Sequence, residues 1–130
     1  MLNGIIPSSW QPQLHAALRI ISGLLFLEHG TSKLFHWPTS AGDQPLSALM
    51  LAAGVIELVG GLLITVGFFT RYAAFVLAGE MAVAYFIAHM PNSIYPLINR
   101  GEAAILFCFI FLFLAAAGAG PYSVDQNRNS

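Results

Sequence analysis

Charge is what this sequence has least of. Five Lys and Arg with six Asp and Glu make up 8% of 130 residues, where soluble domains carry about 25%. Eleven formally charged side chains cannot cover the surface of a 14.0 kDa globule, which argues against an apolar soluble bundle. With a net charge of −1 and no basic cluster, nothing points to nucleic acid or to a patch for anionic headgroups. Cysteine is scarcer still. Cys108 stands alone, so neither a disulfide framework nor an intrachain dithiol relay can exist, and thiol-oxidising four-helix membrane enzymes are excluded. No Glu-x-x-His pair recurs as a di-iron bundle requires, so no metal site is expected. No glycine-rich loop has the strand-to-helix context of a nucleotide fold.

Long apolar runs are what the chain does have. It is 57% hydrophobic with a mean hydropathy of +0.72. A membrane-crossing helix needs about 20 mostly apolar residues, and residues 14–35, 46–69, 71–90 and 101–119 meet that length. The expected fold is all-α, a single-domain four-helix transmembrane bundle over residues 1–130. Residues 1–13, with Pro7 and Pro12, read as a non-helical or interfacial lead. Turn chemistry falls at Pro38, Gly42 and Pro45, at Pro91, and at Gly118, Gly120 and Pro121. Only "FFTR" separates the second and third helices, which predicts a tight antiparallel hairpin. A secretory leader is not expected, because Arg19, Glu28, His29 and Lys33 interrupt the first run.

Four crossings put both termini on one side. Arg19, Arg71 and Arg128 fall on that side against Lys33 and Arg100 on the other, which favours cytoplasmic termini.

The few charges lie inside the apolar runs. Glu57 and Glu80 fall near the centres of their spans, and Glu28 and His29 a few residues beyond centre. Lys33, His89 and Glu102 lie farther toward loops one and three. A charge at mid-bilayer costs about 2.5–3.5 kcal/mol on insertion scales, so these groups are expected to face the bundle interior. At 100° per residue, Gly54, Gly61 and Thr65 share the Glu57 side of the second helix, and Ala73, Ala84 and Ala88 the Glu80 side of the third. Arg19, Ser22, His29, Lys33 and His36 form a polar stripe on the first. Each group taken singly could be interhelical hydrogen-bond glue; together Glu28, His29, Lys33, Glu57, Glu80, His89 and Glu102 are the candidates for binding a ligand or protons. The phenylalanine-rich "FCFIFLF" suits packing or lipid as well as a quinone tail.

The ordered motifs resemble those of the DoxX family of small membrane proteins. They are Arg19 with Gly23, then "EHGTSKLF", "GVIELVGGLLITVGFFTR", "EMAVAYFIAHMP", "NRGEA" and "GAGPYSVD", a likeness spanning Leu18 to Asp125. The resemblance implies a four-helix bundle of the inner or plasma membrane. It also implies kinship with subunits linked to thiosulfate:quinone oxidoreduction and to oxidative-stress complexes. Three functions stay open. One is a redox-associated subunit that binds a quinone or similar apolar molecule and depends on a protein partner for electrons, which makes a stand-alone enzyme doubtful. Another is a small-molecule or proton-coupled carrier, for which 130 residues is small unless the chain forms a homo-oligomer. The third is a non-catalytic assembly subunit.

Overall fold

A computed structural model describes residues 4–40 and 45–128; the expected turn at Gly42 lies outside them. Among the described residues the chain is helical throughout, with no strand. A 3-10 turn, Ser8–Trp10, runs directly into α1, Gln11–Phe35. The helix therefore begins before residue 14, inside the expected lead. Pro12 sits in its first turn, where no N–H partner is needed and proline's fixed φ suits the helix. The second helix, α2, spans Ala48–Val66, and the Ser47 hydroxyl accepts from the Met50 N–H at 3.2 Å to cap it. Gly67, at φ 72°, ends it, and only Phe68 and Phe69 intervene before α3, Thr70–Ala84.

The third helix does not stop before Pro91. It continues as a π-helical stretch, Tyr85–His89, and a 3-10 turn, Met90–Asn92, whose first turn accommodates the proline. The third loop contains a one-turn helix, α4, Pro96–Asn99. The last long helix, α5, is Glu102–Ala117, closed by Gly118 at φ 83°, and a short α6, Val124–Arg128, follows.

Packing proceeds by pairs. α1 lies along α2, α3 lies along α5, and the pairs join mainly where α2 meets α3. α1 and α5 touch chiefly through rings, with Phe26 4.9 Å from Phe107 and 4.7 Å from Phe111. Glycine sets the α1–α2 spacing: a Cβ on Gly61 would come within 2.6 Å of the Leu27 nitrogen, and one on Gly30 within 2.6 Å of the Leu58 nitrogen. On α3 the buried face is Ala73, Ala74, Leu77, Ala78 and Met81, while Ala84 is half-buried and Ala88 exposed. Of the expected Ala73–Ala84–Ala88 face, Ala73 is buried and Ala84 packs against the core, whereas Ala88 falls in the π-helical stretch, where the wider turn breaks the 100° register.

Residues 48–66 and 70–92 are long and apolar enough to cross a membrane, with mean hydropathies of 2.3 and 1.6. Only 28% and 22% of these windows are buried, so they are not core helices of a soluble protein. Their bare apolar sides call for lipid, and the fold is that of a helical membrane bundle.

Candidate functional site

The face of α2 that meets α1 is buried at Gly54, Glu57, Gly61 and Ile64. Gly54, a turn before Glu57, leaves room for α1 to come close: a Cβ there would sit 3.2 Å from the Lys33 Cβ. Lys33 is thereby laid across α2, and its Nζ stands 2.7 Å from Glu57 Oε2, with side-chain exposures of 17% and 5%. The contact is an ion pair without the alignment of a directed hydrogen bond. Glu80 approaches from α3, near enough to feel the charges of both Glu57 and Lys33. Its Oε2 and Glu57 Oε2 are both sealed from water, and the two carboxyls can hydrogen-bond to each other only when one of them holds a proton.

Three helices thus bring two carboxylates and one ammonium together in the apolar interior. Fully ionised, the trio carries one negative charge in excess. Such a group can take up a proton or accept a hydrogen bond from a bound molecule, while the Lys33 ammonium has donors to spare beyond Glu57.

The other expected residues lie apart from this trio. Glu28 is exposed, because it points roughly 160° away from the Phe26 side on which α1 packs. His29 is exposed on the flank of α1, its ring 6.0 Å from that of Phe26. Glu102 is exposed in the first turn of α5, opposite the buried Phe111. His89 is half-buried and its Nδ1 lies 3.0 Å from the Asn99 carbonyl. The interior placement expected for Glu28, His29 and Glu102 does not hold within one copy of the chain. Their helices turn glycine, alanine and phenylalanine inward instead. Among the described residues no three His, Cys, Asp or Glu side chains cluster as metal ligands.

Beside His89 lies a polar knot that sequence reasoning did not single out. The Asn99 Nδ2 donates to the Tyr85 hydroxyl at 3.1 Å and the Ser93 carbonyl at 2.9 Å, and its Oδ1 accepts from the Gly101 N–H at 2.8 Å. The π-helical stretch begins at Tyr85, five residues after Glu80, and such insertions recur near functional sites. Asn99 within "NRGEA" was the available signal.

At the opposite end Arg19 is fully buried. Its Nε donates to the Ile64 carbonyl at 3.1 Å, Nη1 to Ala119 and, at 3.1 Å, to Pro121, and Nη2 to Tyr122 at 2.7 Å. Backbone carbonyls, one of them in the last turn of α2, surround a cation that would otherwise be costly to bury. Arg71 donates to the Ala115 and Ala116 carbonyls near the end of α5, and His15 Nε2 lies 2.8 Å from the Gly118 carbonyl. A cleft of about 690 Å³ opens here between Arg71, Asp125 and the Gly118–Pro121 turn. The stripe read on α1 is therefore split: Arg19 closes the terminal end, and Lys33 serves the trio.

Comparison with known proteins agrees with this architecture. The DoxX family model matches residues 14–90. An uncharacterized protein of Haemophilus influenzae is 41% identical over 122 residues, covering 89% of this chain and 91% of its own length. No solved structure matches. With more than half of its length matched by the family model, the chain belongs to the DoxX family.

Proposed function

We propose that this protein is a multi-pass inner-membrane subunit, termini cytoplasmic, that binds the head group of a quinone or similar apolar-tailed molecule at Lys33, Glu57 and Glu80. One observation carries the proposal: a buried ion pair stands beside a second carboxyl, so that two carboxyls and an ammonium share one apolar interior. Leaving a buried acceptor unsatisfied costs about 1–3 kcal/mol. A proton held between the two carboxyls, or a hydrogen-bonding head group, satisfies these oxygens.

A quinone, when bound, supplies chemistry in which electrons and protons are taken up together. The chain contributes the rest. Lys33 presents an ammonium to an acceptor oxygen, Glu57 holds that ammonium in place, and Glu80 holds a proton at a carboxyl that can donate it. With a single cysteine, electrons would come from a protein partner.

The test is extraction of small molecules from protein purified with native lipid, read by mass spectrometry. A quinone should co-purify with the wild type, and Glu80→Gln and Lys33→Met should lower its occupancy while the bundle stays folded. Unchanged occupancy in both variants, or no co-purifying quinone, overturns the proposal. Donor-independent flux in proteoliposomes under a pH gradient would place the trio in a carrier instead.

A further inference from the structure

Two clefts meet at the end of the bundle where Arg19 is buried. One, of about 690 Å³, lies among Arg71, Asp125, Arg128 and the 118–121 turn. The other, of about 900 Å³, runs between α1 and α5 and is lined beyond the turn by Leu14, Leu18 and Phe113. They share Pro12, Ala117, Gly120 and Pro121 as a common wall. From Gln11 to Leu18 the second cleft follows α1 for about 10 Å, at about 1.5 Å per residue, so it leads from the bundle end into the apolar zone. That end lies at a membrane surface, because residues 67–69 join two helices that are each long and apolar enough to cross. Trp10, Tyr72 and Tyr122 are exposed around it, rings that suit a headgroup layer.

Charge is unbalanced there. Among the described residues Arg19, Arg71 and Arg128 stand against a single carboxylate, Asp125, whose oxygens are already taken by the Phe69 and Thr70 N–H groups. Arg19 supplies its charge from behind the turn, with its donors spent on backbone carbonyls. Arg71 is different. Its Nη1 is anchored to the Ala115 and Ala116 carbonyls, while Nε and Nη2 have no hydrogen bond to a described residue. A Cβ on Gly118 would stand 3.0 Å from Nη2 and 3.3 Å from Nε, so the glycine leaves that part of the guanidinium uncovered. Arg128 lies over the Phe68 and Phe69 rings, at 5.3 and 5.5 Å, with no hydrogen bond to a described residue. The sequence holds no basic cluster; the fold assembles one from residues far apart along the chain.

We infer that the joined clefts hold one anionic phospholipid, its phosphate between Arg71 and Arg128 and an acyl chain along Leu14, Leu18 and Phe113. Arginine takes a phosphate through two parallel N–H···O bonds, and an excess of cations in a partly enclosed cleft concentrates anions. A soluble phosphate would need the first cleft alone; the apolar groove continuous with it selects a lipid. The site does not depend on what the Lys33–Glu57–Glu80 trio binds.

Native mass spectrometry of the full chain, released from vesicles of equal phosphatidylglycerol and phosphatidylcholine, tests this. The wild type should retain one phosphatidylglycerol per chain in preference to phosphatidylcholine. Arg128→Gln should cut that retention about five-fold, the worth of one basic residue at a membrane surface. Ala117→Trp, which fills the shared wall and leaves every charge in place, should lower it as well. Both positions are exposed, so neither change threatens the fold. Arg100→Gln, an exposed arginine at the opposite end, should leave retention as in the wild type. Equal retention of the two lipids by the wild type, or equal losses from Arg100→Gln and Arg128→Gln, overturns the site. Unchanged retention in Ala117→Trp, or displacement of the lipid by millimolar inorganic phosphate, overturns the lipid as occupant and leaves a free anion in its place.

Discussion

Asp125 reaches back across the start of α3 so that its two carboxylate oxygens accept the Phe69 and Thr70 N–H groups, each at 2.9 Å. The helix is capped from 55 residues away, and the Asp125 N–H in turn donates to the Gly67 carbonyl at 2.8 Å. Partial burial pushes this carboxyl up. The hydrogen bonds from Thr70 and Phe69 and the charge of Arg128 together outweigh it and hold the group below its ordinary 3.8. A carboxyl depressed in the fold adds stability above its unfolded pKa and loses it as pH falls through the folded value. Thermal unfolding should therefore show a loss of stability below about pH 4 that Asp125→Asn removes, and the variant should lose about 1 kcal/mol of cap at neutral pH. A wild-type and variant difference that does not change with pH would contradict this.

Lys33→Met should destabilise the bundle by ~2 kcal/mol, less than the ~3–5 kcal/mol of fully enclosed pairs because Lys33 is 17% exposed. Lys33→Met combined with Glu57→Met should restore part of the loss, since of the trio only the Glu80 carboxyl then remains. Denaturant unfolding of both variants checks the sign. A double variant worse than the single one would mean the ion pair is a net stabiliser.

Gly61→Ala should cost ~1–3 kcal/mol by wedging α1 off α2, since the new Cβ meets backbone at 2.6 Å. The same change at Gly79 meets nothing within 4 Å and should stabilise α3 by ~0.5–1 kcal/mol. Melting temperatures of the two variants should move in opposite directions.

Arg19→Lys should fail as a conservative change. A lysine ammonium cannot serve Ile64, Ala119, Pro121 and Tyr122 together, and hydrogen bonds to a charged donor are worth ~1.5–3 kcal/mol each. The expected loss is ~2–4 kcal/mol, with faster proteolysis between Gly118 and Asp125 than in the wild type. Arg100→Lys, at an exposed turn, should change neither.

Sequence made the four long helices, the membrane character and the family legible, because long apolar runs and isolated glycines are local signals; of the four expected crossings, two are long and apolar enough to span. Lys33, Glu57 and Glu80 were visible as charges in apolar surroundings, but their convergence was not, since it depends on how three helices rotate about their axes. Glu28, His29 and Glu102 show the same limit from the other side: depth along a helix follows from counting, whereas facing depends on whether Phe26 or Phe111 packs first. The start of the third helix was read to within a residue, at 71, but what fixes it is distant in sequence. α3 begins at Thr70 because Asp125 caps it, and no local pattern announces that.

The Arg19 contacts also bear on biogenesis. Three of its four carbonyl acceptors are synthesised about a hundred residues after it, so α1 is made carrying a cation whose permanent surroundings have not yet emerged from the ribosome. Maturation of the bundle thus ends where it started, and fusions that hold back the Ala119–Tyr122 strap would leave the earliest-made helix unfinished.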